Sequence, residues 1–188
     1  MTNRIFAAVA VLVMGVALAA CAGGRTRVES DLAIKGAPDW VNEGVQALDN
    51  RGGRLIHGIG SAPKMPDASL QRTTADDRAR AEVARVLSSF MNVVSQDYIA
   101  SAGYGDGSVE ERAISRQIDN LTRLNMSGTE IIARWQDRRK GDVWSLAELD
   151  LKRVQEVVRN SNLMNEGFVN HLEMHGETLF DRFINERN

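Results

Sequence analysis

The N-terminal apolar run of this chain decides how many residues are free to fold. Residues 5–20 are sixteen consecutive apolar or glycine residues, and Arg4 is the only charge before them. This length matches the apolar part of a secretory signal and falls short of the roughly 20 residues that a membrane-spanning helix needs. The run ends directly before Cys21, the only cysteine of the chain. The sequence therefore predicts a signal peptide over residues 1–20, which leaves 168 of the 188 residues for one domain and a tether.

The residues around the cysteine resemble the lipobox of bacterial lipoproteins. Small residues precede the cysteine in Leu18-Ala19-Ala20-Cys21, as a signal peptidase requires. The resemblance implies cleavage after Ala20 and a diacylglyceryl thioether with an N-acyl chain on Cys21. Because each buried methylene contributes about 0.8 kcal/mol and one chain binds only reversibly, two or three chains make the attachment effectively permanent. The alternative, an uncleaved signal anchor through residues 5–24, also tethers the chain to a membrane.

The same resemblance implies a location and a first partner. By the sorting rules of enteric bacteria, an alanine after the lipidated cysteine, here Ala22, directs a lipoprotein to the outer membrane. We therefore expect a lipid-anchored protein of the bacterial outer membrane that faces the periplasm rather than the cell surface, with membrane lipid as its partner through Cys21. An acylated thiol is not available for a disulfide or a metal site. After cleavage 22 basic and 25 acidic residues are interspersed, so we expect no nucleic-acid partner.

The pattern of the remaining residues predicts an α+β fold. Residues 21–37 are small, charged and aperiodic, which is typical of a flexible tether, and Pro38-Asp39-Trp40-Val41 begins the folded part. Apolar residues recur three or four apart over about 69–100, which predicts a long helix. Ser108 with Glu111 forms a capping box that begins a second helix. Three strands are predicted near 54–62, 129–136 and 142–149, the last two as a hairpin, in a small antiparallel or mixed sheet.

Glycines in the first predicted strand indicate a close contact. Gly58 and Gly60 alternate along that strand, so both lie on one face, where a missing side chain lets another backbone approach.

A long C-terminal helix is predicted over about 151–186. Its positions at alternating spacings of four and three are largely apolar, which fits either a coiled-coil seam or an amphipathic helix broken near Ser161 or Gly167. An unbroken helix of this length would reach about 57 Å, longer than a small domain is wide. We therefore treat its second half as a candidate partner-contact helix, with the following residues as the contacts: Asn165, Phe168, Leu172, Leu179 and Phe183.

Side chains that could carry chemistry are few. His171 and His175 lie one helical turn apart, as two metal ligands would, but neither a cysteine nor the strand residue His57 is placed to complete a site. We favour a polar interruption of an amphipathic helix. The sequence contains no Gly-x-Ser-x-Gly motif, and its adjacent acidic residues diverge by about 100° on a helix, so they cannot form a catalytic pair. Three tryptophans, Trp40, Trp135 and Trp144, fit a core better than a ligand groove. We expect no catalytic residue, metal or cofactor, and no enzyme.

The order of elements resembles a known lipoprotein family. Four short segments carry the resemblance: Pro38-Asp39-Trp40-Val41, Ile56-His57-Gly58-Ile59-Gly60-Ser61-Ala62, the alanine-spaced helix with Ala75, Ala79-Arg80-Ala81 and Ala84, and Gly141-Asp142-Val143-Trp144-Ser145-Leu146-Ala147. Over residues 38–150 the chain is similar to the strand-helix-strand-strand module of the lipoprotein-20 family, outer-membrane lipoproteins of roughly 20 kilodaltons. Some members are surface antigens, and others form the ring or basal disk around the flagellar motor. The resemblance implies no catalytic residues.

Together these patterns predict a structural or assembly lipoprotein of the bacterial envelope. Such a protein would self-associate or dock on an envelope machine such as the flagellar basal body. The alternative is a periplasm-facing module that binds peptidoglycan or an outer-membrane assembly partner. The predicted divisions are a signal peptide (1–20), a lipidated tether (21–37), a lipoprotein-20-like domain (38–150) and a C-terminal helical extension (151–188).

Overall fold

A computed structural model describes residues 32–49, 54–104, 108–125, 128–161 and 164–187. The predicted signal peptide, its cleavage site at Ala20 and the lipidation site at Cys21 lie outside these ranges. None of the helices described is long and apolar enough to cross a bilayer. The fold class is the predicted one, since an antiparallel three-stranded sheet packs against long helices.

The sheet has the spatial order β1-β3-β2, with β1 at Leu55–Ala62, β2 at Glu130–Gln136 and β3 at Val143–Asp150. All three strands were predicted within one or two residues. β3 pairs antiparallel with both neighbours, so the mixed-sheet alternative does not apply. The hairpin loop between β2 and β3 closes through a hydrogen bond from Asp137 N to Asp142 O of 2.9 Å, and Gly141 takes the positive φ of +82° that this reversal requires.

The longest helix, α2 at Ala68–Ala102, connects the sheet to the rest of the core. Asp67 caps its N-terminus by accepting hydrogen bonds from the backbone N–H groups of Ser69 and Leu70. Its 35 residues span about 52 Å, so only its first half lies on the sheet. The buried residues of the helix follow the predicted apolar spacing: Ala75, Ala79, Val83, Val86, Leu87, Phe90, Met91 and Val94.

The predicted close approach at β1 is confirmed. A Cβ atom added to Gly58 would lie 2.4 Å from the carbonyl oxygen of Ala79, and one added to Gly60 would lie 2.3 Å from the backbone nitrogen of Ala79. Both distances are far shorter than an ordinary van der Waals contact of a Cβ atom. The absence of a side chain at these two glycines therefore lets β1 lie directly on the α2 backbone. Ala75 and Ala79 supply the matching small residues on the helix.

Three further helices cover the second half of α2. Helix α3 (Val109–Asn125) begins with the predicted cap, in which Ser108 Oγ accepts from Glu111 N at 3.1 Å. Helix α4 (Leu151–Asn160) follows β3 directly and is capped by Asp150. Helix α5 (Glu166–Arg187) returns along α2. One hydrophobic core runs from the inner face of the sheet into this helical layer, and it includes Ile56, Leu149, Val158, Phe168 and Phe180.

The prediction of a single helix over about 151–186 is wrong, and the alternative of a helix broken near Ser161 is confirmed. The backbone leaves the helix at Ser161, which is extended with φ −84° and ψ 109°, and α5 begins again at Glu166. Asn165 caps the new helix, because its Oδ1 accepts from Phe168 N at 3.1 Å. The break lets α5 turn back and bury its apolar side against α2, whereas an unbroken helix would leave much of that side in water. Both helices thereby contribute side chains to the same core as α2 and the sheet.

The folded unit also begins earlier than predicted. Leu32–Asn188 is one compact unit, and Ile34 is tied to the short helix α1 (Asp39–Asn42) by two hydrogen bonds with Asn42, of 2.9 and 3.1 Å. Residues 32–37, assigned to the tether, therefore belong to the folded unit. Val41 is buried, and a 3₁₀ helix at Gly44–Ala47 follows and contacts β1.

Candidate functional site

The side chains predicted to contact a partner are mostly internal. Phe168 and Leu172 are fully buried, and Leu179 and Phe183 are almost so. Phe183 packs on Phe90 of α2, with ring centroids 5.8 Å apart. Because these side chains fill the chain's own core, the surface that α5 offers to a partner is its opposite, polar side. The apolar exception on that side is Met174, which is 71% exposed.

Asn165 has a local role instead of fixing a coiled-coil register. Besides capping α5, its Oδ1 accepts a hydrogen bond of 3.2 Å from the hydroxyl of Tyr98 on α2. A Cβ on Gly167 would lie 2.5 Å from that same hydroxyl oxygen, so the glycine makes room for the tyrosine. Burial, followed by the charge and hydrogen bond of Tyr104, raises the pKa of Tyr98 above its usual value. This junction holds the start of α5 against α2.

A polar cleft of about 500 Å³ lies where β3 runs into α4. Four carboxylates and two basic side chains line it together with a glycine: Glu130, Glu148, Asp150, Glu156, Lys152, Arg153 and Gly128. The mixture of charges suits a ligand that carries both an amine and an acid, or a charged segment of a partner. None of the three tryptophans lines this cleft. Sequence reasoning missed it because its residues come from three separate elements.

A row of polar side chains crosses the sheet at the edge of this cleft. His57 of β1 and Glu130 of β2 both lie directly opposite Glu148 of β3. His57 Nε2 lies 2.9 Å from Glu148 Oε2, and only 5% of the imidazole side chain is exposed, so this histidine is packed within the fold. Two carboxylates on facing positions of neighbouring strands repel each other. The contact with the His57 imidazole partly offsets this repulsion for Glu148. The side chain of Glu130 is exposed to water.

An ion pair joins α2 to the inner side of the sheet. Arg134 on β2 donates to both carboxylate oxygens of Asp76, at 2.8 and 2.6 Å, and Ser145 on β3 donates to one of them at 2.7 Å. Burial raises the pKa of Asp76, but the hydrogen bonds from Arg134 and Ser145 and the positive charge outweigh that effect and leave its pKa below the ordinary value. Each partner sits on a different element, so the group fixes the helix relative to both hairpin strands.

One of the two histidines of α5 meets an acidic partner that the sequence did not reveal. His171 Nε2 lies 2.9 Å from Asp97 Oδ2 on α2, and the His171 side chain is 10% exposed. His175 follows one turn later with its ring centroid 4.7 Å from that of His171. Within the described part of the chain, no group of three or more His, Cys, Asp or Glu residues is arranged to hold a metal ion. His57, on β1, has Glu148 as its partner instead.

Both outer strands carry features that discourage strand addition. At β1, Arg78 Nη1 donates to the carbonyl of Ser61 at 2.6 Å and so occupies that main-chain acceptor. At the β2 edge, a register shift between Ile131 and Ala133 forms a bulge at Ile132. Charged side chains and bulges are the means by which sheet edges avoid pairing with other chains. Contacts with a partner are therefore favoured on the helical surfaces and the cleft rather than on these edges.

No family model matches the sequence, and no curated protein matches it. The resemblance to the lipoprotein-20 family therefore stays a prediction that rests on the short segments quoted above.

Proposed function

We propose that this protein is a lipid-anchored structural or assembly protein of the bacterial envelope, held at the outer membrane through Cys21. The observation that carries the proposal is the Leu18-Ala19-Ala20-Cys21 sequence at the end of an apolar run. A folded unit that begins at Leu32 follows this sequence after only a few residues. The resemblance to the lipoprotein-20 family supports an assembly role, since some members form the ring or basal disk around the flagellar motor.

The short distance between the anchor and the folded unit defines what the protein can reach. Residues 21–31 are eleven residues, and a fully extended chain spans at most about 3.6 Å per residue, so the anchor and Leu32 lie within about 40 Å of each other. A partner of the folded unit must therefore lie within reach of a domain that is tethered this closely to the membrane. This supports docking on a membrane-associated assembly, or on neighbouring copies anchored in the same leaflet.

The anchor is tested by labelling cells with a radioactive fatty acid and following the protein. Wild-type protein should incorporate label and fractionate with the outer membrane. Cys21→Ala should remain an unlabelled precursor of full length, whereas Gly24→Ala, three residues away, should be processed normally. Labelled Cys21→Ala protein, or unlabelled and soluble wild-type protein with residues 1–20 intact, would overturn the proposal.

The assembly role has a separate test. Purified mature protein in detergent is analysed by size-exclusion chromatography with light scattering, alone and after crosslinking in cells. Self-association or a crosslinked envelope protein is expected. A single-copy species with no crosslinked neighbour would refute assembly while leaving the anchor intact.

The polar cleft favours a second function, a periplasmic binding module for peptidoglycan. Stem peptides of peptidoglycan carry both amines and carboxylates, which matches the mixed charges of the lining. Muropeptides should then raise the melting temperature of the wild type, and Glu130→Gln should weaken the shift. The exposed carboxylate of Glu177 on α5 gives a matched control, because Glu177→Gln removes one charge far from the lining residues in sequence. An identical shift in both variants would reject the cleft as the binding site.

A further inference from the structure

The face of α5 that carries His171 presents an imidazole already oriented by a carboxylate. His171 Nε2 and Asp97 Oδ2 are 2.9 Å apart, and nine-tenths of the imidazole side chain is buried between α2 and α5. An ionised carboxylate only accepts hydrogen bonds, so Nε2 carries the proton and donates it. In the neutral form of the ring, the other nitrogen, Nδ1, then keeps its lone pair. This is the arrangement in which histidine ligands of metal ions are held, with one nitrogen on a carboxylate and the other on the metal.

A second imidazole lies beside the first. His175 is one helical turn further along α5, and its ring centroid is 4.7 Å from that of His171, with an angle of 48° between the planes. His175 is exposed, so its ring can turn about its side-chain bonds without disturbing the core. Two histidines separated by four positions on a helix are a common way to present two nitrogen ligands to one ion.

We propose that His171 and His175 bind one divalent transition-metal ion at the surface of α5, with Asp97 as the positioning residue for His171. Imidazole nitrogen selects ions such as Zn²⁺, Ni²⁺ and Cu²⁺ over Ca²⁺ and Mg²⁺, which prefer oxygen ligands. Since no third His, Cys, Asp or Glu among the described residues is arranged to complete the shell, water fills the remaining positions. Such an open site binds metal exchangeably, and a partner can supply a further ligand. The inference does not depend on the lipid anchor or on the assembly role.

Isothermal titration of the mature chain in detergent with zinc chloride tests the site. The wild type should bind one Zn²⁺ per chain, and His175→Ala should lower the affinity by at least tenfold. Met174→Ala is the matched control, because it truncates an exposed neighbour on the same helix and should leave the affinity within about twofold of the wild type. His175→Ala should fold normally, since the side chain it removes is exposed. No saturable binding by the wild type, or equal binding by His175→Ala, overturns the proposal.

The role of Asp97 needs a measurement that a purely structural residue would not change. Nitrogen NMR of the His171 ring reports which nitrogen carries the proton. In the wild type without zinc, the proton should reside on Nε2, and zinc should shift the Nδ1 resonance. Asp97→Asn removes the charged acceptor, so it should lower the zinc affinity by roughly 10- to 100-fold and mix the two tautomers. Unchanged affinity in Asp97→Asn would remove the positioning role, and an unshifted Nδ1 resonance in zinc-bound wild type would overturn the site itself.

Discussion

The two halves of helix α2 are packed by opposite means. In the N-terminal half, the strand β1 lies directly on the helix backbone, and the contact consists of Gly58 and Gly60 against Ala75 and Ala79. In the C-terminal half, large side chains fill the space, and Phe90 meets the ring of Phe180 edge-on with centroids 4.9 Å apart. The first contact depends on side chains that are absent, and the second on side chains that are present.

This difference predicts which changes each half tolerates. A backbone-to-backbone contact has no free volume, so even one added methyl group must move a main chain. A contact between aromatic rings responds to lost volume, because a cavity remains where the ring was. Substitutions that add bulk should therefore destabilise the N-terminal half most, and substitutions that remove bulk should destabilise the C-terminal half most. Urea unfolding of the following variants measures that contrast.

The largest loss is expected in the C-terminal half. Phe90→Ala should lower the free energy of unfolding by about 3–5 kcal/mol, because it removes a fully buried ring that touches two other aromatic rings. Met174→Ala, on the exposed side of α5, should change the free energy of unfolding by less than about 0.5 kcal/mol. A loss below about 1 kcal/mol for Phe90→Ala would show that this ring does not pack as described.

The next largest loss is expected where a methyl group is added to the N-terminal half. Gly60→Ala should destabilise the protein by about 3 kcal/mol, because the new carbon would meet the backbone of residues 75–79 at 2.3–2.7 Å. Gly128→Ala offers a matched control, since its added carbon meets nothing closer than 3.6 Å. That variant should be unchanged or slightly more stable. Equal stability of Gly60→Ala and Gly128→Ala would contradict direct contact between β1 and α2.

Most of this architecture could be predicted from sequence periodicity. Apolar spacing located α2 and the three strands, and the glycines of β1 indicated the close contact, because local patterns determine which residues face inward. The same spacing could not show that the chain reverses after Ser161, since residues 168–183 have the same apolar pattern whether they face a partner or fold back on α2.

The polar contacts between different elements could not be predicted, because each joins residues far apart in the sequence. Fifty-eight positions separate Asp76 from Arg134, and 74 separate Asp97 from His171. In a sequence, a charged residue between apolar positions of a helix indicates a solvent-exposed surface. Only the folded structure shows the distant residue with which it pairs. Sequence analysis accordingly identified His171 and His175 but missed the carboxylate beside them, and it missed the cleft for the same reason.

A third variant tests whether the ion pair of Asp76 supports the sheet contact. Asp76→Asn keeps the size of the side chain but removes the charge, and it should cost about 2 kcal/mol at neutral pH because Arg134 and Ser145 lose an ionised acceptor. Asp77→Asn is the control, since that neighbouring carboxylate is exposed and makes only a weak contact with Arg80 at 3.5 Å. A cost for Asp76→Asn no greater than that for Asp77→Asn would show that the ion pair contributes nothing.

The contribution of Asp76 should also depend on pH in a defined direction. Its pKa is lower in the folded chain than the ordinary value of 3.8, despite the opposing effect of burial. Its stabilisation is therefore complete above that ordinary value and is lost as the pH falls through the lower, folded-state pKa. The difference in unfolding free energy between wild type and Asp76→Asn should be constant from pH 7 to about pH 5 and shrink below pH 4. A difference that grows on acidification would mean that the pKa of Asp76 is raised instead.

The smallest effect is expected at the cap of α3, which lies outside both halves of the contact. Ser108→Ala removes the oxygen that accepts from Glu111 N and should lower the free energy of unfolding by about 1 kcal/mol. Ser101→Ala is the same substitution within α2, where the hydroxyl only bonds back to the carbonyl of Asp97, and alanine favours a helix more than serine does. That variant should be neutral or slightly stabilising. If the two serine variants proved equally stable, α3 would not depend on its cap, and buried side chains such as Ile114 and Ile118 would hold it in the core.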